Sequence, residues 1–163
     1  MFQGKKILRR VPAVLSDIDG VLYRGKHAID KSTDAVKCLV RTHSLPELSP
    51  KGDFGLLEDV KLPFSLLTNG GGQTEAERAG IVNRIMFGSE HGSECGLAIR
   101  ESQMIECHTP LKKLVHEFAD SPILVSGSGK VVEVCESYGF KKAIHVLELA
   151  ALMPELCPLF LKS

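Results

Sequence analysis

The sequence predicts an α/β fold built on a parallel sheet, and three observations carry that prediction. Short apolar runs at residues 11–16 (VPAVLS) and 64–67 (FSLL) read as buried strands, and each stops at a loop of small and polar residues. Segments with apolar positions at helical spacing follow them. The same alternation recurs toward the C-terminus, as expected for βαβ units with right-handed crossovers.

The elements follow in order. The first strand, 11–16, ends in Asp17-Ile18-Asp19-Gly20. A helix is predicted over 30–43, with Ala35, Val36, Leu39 and Val40 on one face and Asp30 or Ser32 as its cap. Residues 44–63 hold Pro and Gly without a period, and read as a long surface excursion. The second strand, 64–67, runs into Thr68-Asn69-Gly70-Gly71-Gly72. Thr74 opens a helix with Glu75 and Glu77 in its first turn, and Gly88 closes it. A turn and short helix are expected over 92–102, and a third strand over 104–107, leading to His108-Thr109-Pro110. Then come a helix at 111–118, a strand at 122–125, and the loop Ser126-Gly127-Ser128-Gly129. A helix at 130–138 stops at Gly139, a strand spans 142–146, and a short helix begins at Leu147.

Composition removes several function classes. The 163 residues are 44% hydrophobic and 25% charged, close to globular averages, which argues against disorder or a fibrous chain. Twenty basic residues balance twenty acidic ones, so no global positive field is available to neutralise nucleic-acid phosphates. With no Trp and two Tyr, a base-stacking platform is not expected either. No apolar run approaches the roughly 18–20 residues needed to span a bilayer. The five cysteines are odd in number and include no CxxC, so reduced thiols are expected, mostly buried. Cys107 beside His108 lacks a third group to complete a catalytic set. The first ten residues carry Lys5, Lys6, Arg9 and Arg10 without an apolar core after them, which excludes a secretory signal. They read as a solvated lead-in, with a basic organellar presequence as the alternative.

The chemistry concentrates at the ends of the first two strands. In an open parallel sheet, ligands bind outside the carboxyl ends of the strands. Asp17 and Asp19 stand there two residues apart, and residues i and i+2 of an extended segment point the same way. Two carboxylates in one small site repel, and a hard cation such as Mg2+ relieves that cost. Asp17 can then attack an electrophile such as phosphorus, and Asp19 can handle the leaving-group proton. Thr68, Asn69 and Gly70, with the start of the next helix, form a candidate phosphate cradle. Among the histidines, His27 reads as a surface residue. His108 reads as a local cap to the next helix, with a substrate-side role as the alternative.

SDIDGVLYRG at 16–25 and LLTNGGG at 66–72 resemble the first and second motifs of the haloacid dehalogenase-like superfamily, in the subclass with a large α/β cap. TNGGG, the helix starting TEAERAG, HTP and LVSGSG resemble one branch of it, the cat eye syndrome critical region protein family, described as mitochondrial hydrolase-like proteins. The likeness runs from about residue 11 to about residue 149. It implies a Rossmann-like parallel core over 1–120, interrupted by the 44–63 insertion, and the beginning of a cap over 121–163. It implies that Asp17 is the nucleophile forming an aspartyl-phosphate and a Mg2+ ligand. Asp19 would be the general acid/base, with its carbonyl on the metal. Thr68, Asn69 and Gly70 would hold the phosphoryl group.

The family's third-motif lysine and fourth-motif acids have no counterpart after Gly72, and spacing assigns Lys130, Lys141 or Lys142 to neither role. The chain therefore resembles the N-terminal portion of a larger enzyme, with one apolar sheet edge left open, a liability that self-association would relieve. Two functions stand at this point: a Mg2+-dependent phosphohydrolase of a small phosphorylated metabolite, or a non-catalytic binding protein retaining half of that core. The expected location is mitochondrial or cytoplasmic.

Overall fold

The computed structural model describes residues 13–41, 63–92 and 97–156. The basic N-terminal stretch, the surface excursion up to Lys61-Leu62, Cys95 and Cys157 lie outside the described residues.

Three parallel strands form the main sheet in the order β1–β4–β5, where β1 is Val14–Asp17, β4 is Phe64–Leu67 and β5 is Met104–Ile105. The register pairs Val14 with Phe64, Asp17 with Leu67, and Leu66 with Met104. Side chains alternate across this sheet. Phe64, Leu66 and Met104 share one face and join a buried core with Val36, Val82 and Met86. These come from α1 (Ser32–Arg41) and α2 (Glu75–Phe87). Leu15 and Leu67 occupy the other face and are 58% and 42% exposed. Among the described residues β1 is an edge strand.

Between β1 and α1 the chain forms a small antiparallel hairpin of β2 (Tyr23–Arg24) and β3 (His27–Ala28), which the sequence reading missed. Two residues per strand give no alternation to detect. The start of α1 also differs from expectation. Ser32 lies inside the helix, and its hydroxyl reaches back to the carbonyls of Leu22 (2.8 Å) and Ile29 (2.6 Å). It ties the hairpin to the helix and does not cap it.

α2 begins as the sequence indicated. Thr74 Oγ1 accepts from Glu77 N at 3.2 Å, and Thr74 N donates to Glu77 Oε2 at 3.0 Å, a reciprocal cap. Gly88 ends the helix at φ 83°. Thr74→Ala is expected to lower stability by about 1 kcal/mol, read from urea unfolding.

The third strand is shorter than expected, because Glu106 N turns away to the Thr109 hydroxyl at 2.8 Å. The expected helix at 111–118 is a 3-10 run over Thr109–Leu114 followed by one α turn, α3 (Val115–Phe118). β6 (Ile123–Val125) and β7 (Ala143–His145) then pair in parallel as a separate two-stranded sheet. α4 (Val131–Tyr138) connects them, and α5 (Val146–Leu152) follows. Gly139 stops α4 at φ 110°, as its position in the sequence suggested. Of the described cysteines, Cys135 is buried while Cys38 and Cys107 are exposed, so these three are not mostly buried as expected. All three are free.

Candidate active site

β1 and β4 end side by side, with Asp17 in register with Leu67, one residue before Thr68. Beyond β1 the chain folds back: Leu22 N donates to Ile18 O at 2.9 Å, and Gly20 N donates to Tyr23 O at 2.9 Å. Gly20 holds φ 82°, a conformation that suits glycine. This turn buries Ile18 completely and leaves Asp17 and Asp19 exposed on either side of it.

Thr68 extends the ladder to β5, its N donating to Ile105 O at 3.0 Å. The Thr68 hydroxyl, on a nearly buried residue, donates to Asp19 Oδ2 at 3.1 Å and accepts from Gly70 N at 2.9 Å. The structure thus joins Asp19, Thr68 and Gly70 by hydrogen bonds, places Asp17 next to them by register, and leaves the Asn69 side chain exposed. Asp17 and Asp19 offer hard oxygen donors, which suits Mg2+ with most of its water shell kept. No third acid, His or Cys joins them among the described residues.

The start of α2 is capped by its own residues. Its capping donors serve Thr74 and Glu77, and Glu75 fills its first turn, so the favourable partial charge is already answered by carboxylates.

Behind the loop lies a polar layer that sequence reasoning missed. Glu75 Oε1 accepts from Tyr138 Oη (2.7 Å), Thr109 Oγ1 (2.8 Å) and Lys112 Nζ (3.1 Å). Burial raises the Glu75 pKa, but these donors outweigh it and bring it down to about 2. Tyr138 Oη lies 2.7 Å from His108 Nδ1, and His108 Nε2 lies 3.4 Å from Glu106 Oε2. Burial lowers the His108 pKa, with Glu75 opposing. His108 makes no cap to the following helix; it links β5 to α4.

Glu106 is 1% exposed, and neither carboxyl oxygen has a hydrogen-bond partner among the described residues. Burial raises its pKa to about 7, against the pull of Arg78. The sequence did hold a signal here: Glu106 directly follows the last residue of β5, as Thr68 directly follows the last residue of β4. Reading 104–107 as strand hid it. His27 is exposed on the hairpin, as expected of a surface residue. Lys130 and Lys141 pair with Glu77 and Asp120.

The second sheet docks beside the loop. Lys130 N donates to Gly72 O at 2.8 Å. A cleft of about 260 Å3 separates the two, lined by Gly71, Cys107, His108, Val125, Ser128 and Val131 among others. Among the described residues no helix is long and apolar enough to cross a membrane.

Residues 14–141, which include both strand-end motifs and the polar layer, match the family described as haloacid dehalogenase-like hydrolase. The chain belongs to this family. It is 33% identical over 142 residues to a mitochondrial hydrolase of Saccharomyces cerevisiae, covering 87% of this chain and 32% of that protein. It is 28% identical over 134 residues to a cardiolipin synthase (CMP-forming)/mitochondrial hydrolase fusion protein of Schizosaccharomyces pombe, covering 82% of this chain and 18% of that one. The haloacid dehalogenase-like chain therefore spans about a third of the length of the first relative, and less of the second. The crystal structure of a hypothetical protein from Pyrococcus horikoshii OT3 superposes with a TM-score of 0.55 at 18% identity, over 87% of this chain and 44% of that one. That likeness supports the fold: an α/β, Rossmann-like parallel core.

Proposed function

We propose that the chain carries the nucleophile and phosphate-binding half of a Mg2+-dependent phosphohydrolase for small phosphorylated metabolites. The observation that carries the reading is the Thr68 hydroxyl, bonded at once to Asp19 and to the Gly70 amide where β1 and β4 end. In this reading an Asp17 oxygen attacks phosphorus, and the bond to the leaving oxygen breaks as Asp19 delivers a proton to it. Water then attacks the aspartyl-phosphate, Asp19 takes the water's proton, and orthophosphate leaves with Asp17 restored. Thr68, Asn69 and Gly70 orient the phosphoryl oxygens. Asp17 and Asp19 would hold the Mg2+, which would neutralise the gathered negative charge.

On the same reading, residues 1–120 are the core with the 44–63 insertion, and 121–163 begin a cap. The separate β6–β7 sheet supports that division. The TNGGG, HTP and LVSGSG segments, with two relatives named mitochondrial hydrolases, support the cat eye syndrome critical region branch and a mitochondrial location.

Asp17→Asn is expected to lower Mg2+-dependent turnover of phosphate monoesters by roughly a thousandfold or more, with circular dichroism unchanged. Retained turnover in that variant rejects the mechanism. A second reading, a non-catalytic binding protein, is favoured by one observation: two carboxylates stand without a third among the described residues. Turnover by the 163-residue chain would reject it.

A further inference from the structure

The polar layer behind the loop holds a cation, Arg78, with one buried donor left unpartnered. Arg78, on α2, lays its guanidinium against Gly70: a Cβ built there would stand 2.7 Å from Arg78 Nη2 and 3.2 Å from Thr68 Oγ1. The guanidinium and the hydroxyl thus flank one point on the Thr68–Gly70 turn, and a side chain at residue 70 would displace the arginine. Arg78 is mostly buried, and its Nε has no hydrogen-bond partner among the described residues. Its nearest acid is Glu106, with Oε2 at 3.9 Å from that Nε, beyond hydrogen-bond reach. The Tyr23 hydroxyl makes no hydrogen bond of good geometry, and Arg78 lies close enough to oppose the rise that burial gives its pKa. Other cations near the site are committed: Lys112 to Glu75, Lys130 to Glu77.

The Arg78–Glu106 pair is a long one, and it leaves the buried Arg78 Nε and both Glu106 oxygens without a hydrogen bond among the described residues. A phosphoryl oxygen on the turn would complete the donor side, since a guanidinium matches tetrahedral oxyanions with two parallel donors. We propose that Arg78 binds the phosphoryl group resting on the Thr68–Gly70 turn. This rests on the phosphohydrolase reading and adds a ligand-contacting residue outside the two strand-end motifs.

The test is orthophosphate binding to the chain by titration calorimetry in Mg2+, with melting curves recorded alongside. Arg78→Met is expected to weaken orthophosphate at least tenfold. Arg78→Lys, which keeps the charge but not the fork, is expected to weaken it threefold to tenfold and to keep the fold if the Met variant does not. Thr68→Val serves as the loop reference and is expected to weaken binding as well. Wild-type affinity in a folded Arg78 variant, with Thr68→Val impaired, overturns the Arg78 assignment and leaves the phosphohydrolase reading in place. An absence of orthophosphate binding and of turnover in the wild-type chain overturns both. A merely structural arginine would lower the melting temperature of Arg78→Lys and leave its orthophosphate affinity unchanged, which also overturns the proposal.

Discussion

Gly72→Ala is expected to destabilise the chain by about 2–4 kcal/mol, combining backbone strain with overpacking. Gly72 holds φ +77°, in the region where a side chain is strained. A Cβ there would also stand 2.2 Å from the Ser128 carbonyl oxygen. The contact is reciprocal: Gly129 holds φ +82°, and its Cβ would stand 2.6 Å from Gly72 O. That same oxygen accepts the Lys130 amide at 2.8 Å, so relief by withdrawing one loop gives up the hydrogen bond that docks the second sheet on the first. Backbone meets backbone here, and no flexible side chain can move aside. Gly88→Ala is the matched control, because Gly88 has φ +83° and nothing within 4 Å of its would-be Cβ. It is expected to cost only about 1 kcal/mol, the conformational part alone. The difference between the two variants in urea unfolding measures the docking contact, and faster proteolysis near Ser128 in Gly72→Ala is the structural readout. Equal losses in the two variants would remove the contact from the account.

What the sequence revealed and what it hid have a common cause. Patterns that repeat over several residues were legible: the apolar runs that became β1 and β4, the Thr74 and Glu77 cap, and the glycine stops at Gly88 and Gly139. The meeting of Asp19, Thr68 and Gly70 was legible too, because they lie in two short compact motifs whose hydrogen bonds form within and between them. The hairpin was not, since Tyr23–Arg24 and His27–Ala28 are set by one turn and carry no period. Nor was the polar layer. Glu75 and Arg78, Glu106, and Tyr138 stand in three separate places along the chain and gain meaning only when α2, the end of β5 and α4 meet. A buried Glu on a helix reads from sequence as a surface residue, and nothing in its neighbours announces a tyrosine 63 residues away as its partner.

Glu106→Gln is expected to reverse the chain's pH dependence of stability on the alkaline side. Burial raises the Glu106 pKa from 4.5 to about 7, so the folded state holds its proton across that window while the unfolded state releases it. Stability contributed by the protonated form is complete below pH 4.5 and declines as pH rises to about 7, by about 3 kcal/mol at most. The charged groups facing Glu106 do not cancel this: Arg78 favours ionisation, while Glu75 and Glu77 oppose it. Two neighbours act in the other direction. Glu75, brought down from 4.5 to about 2, contributes stability present above pH 4.5 and lost as pH falls toward 2. His108, whose pKa burial lowers, adds stability as pH rises toward its ordinary 6.5. Both are retained in Glu106→Gln, so the difference between wild type and variant isolates one carboxyl. The amide keeps the shape and cannot ionise, and little pairing is lost, since Arg78 Nε stands 3.9 Å away. In urea unfolding the variant should match or trail the wild type at pH 4.5 and exceed it at pH 8. An unchanged slope between those values would show that solvent or a rearranged Arg78 already neutralises the carboxylate in the folded chain.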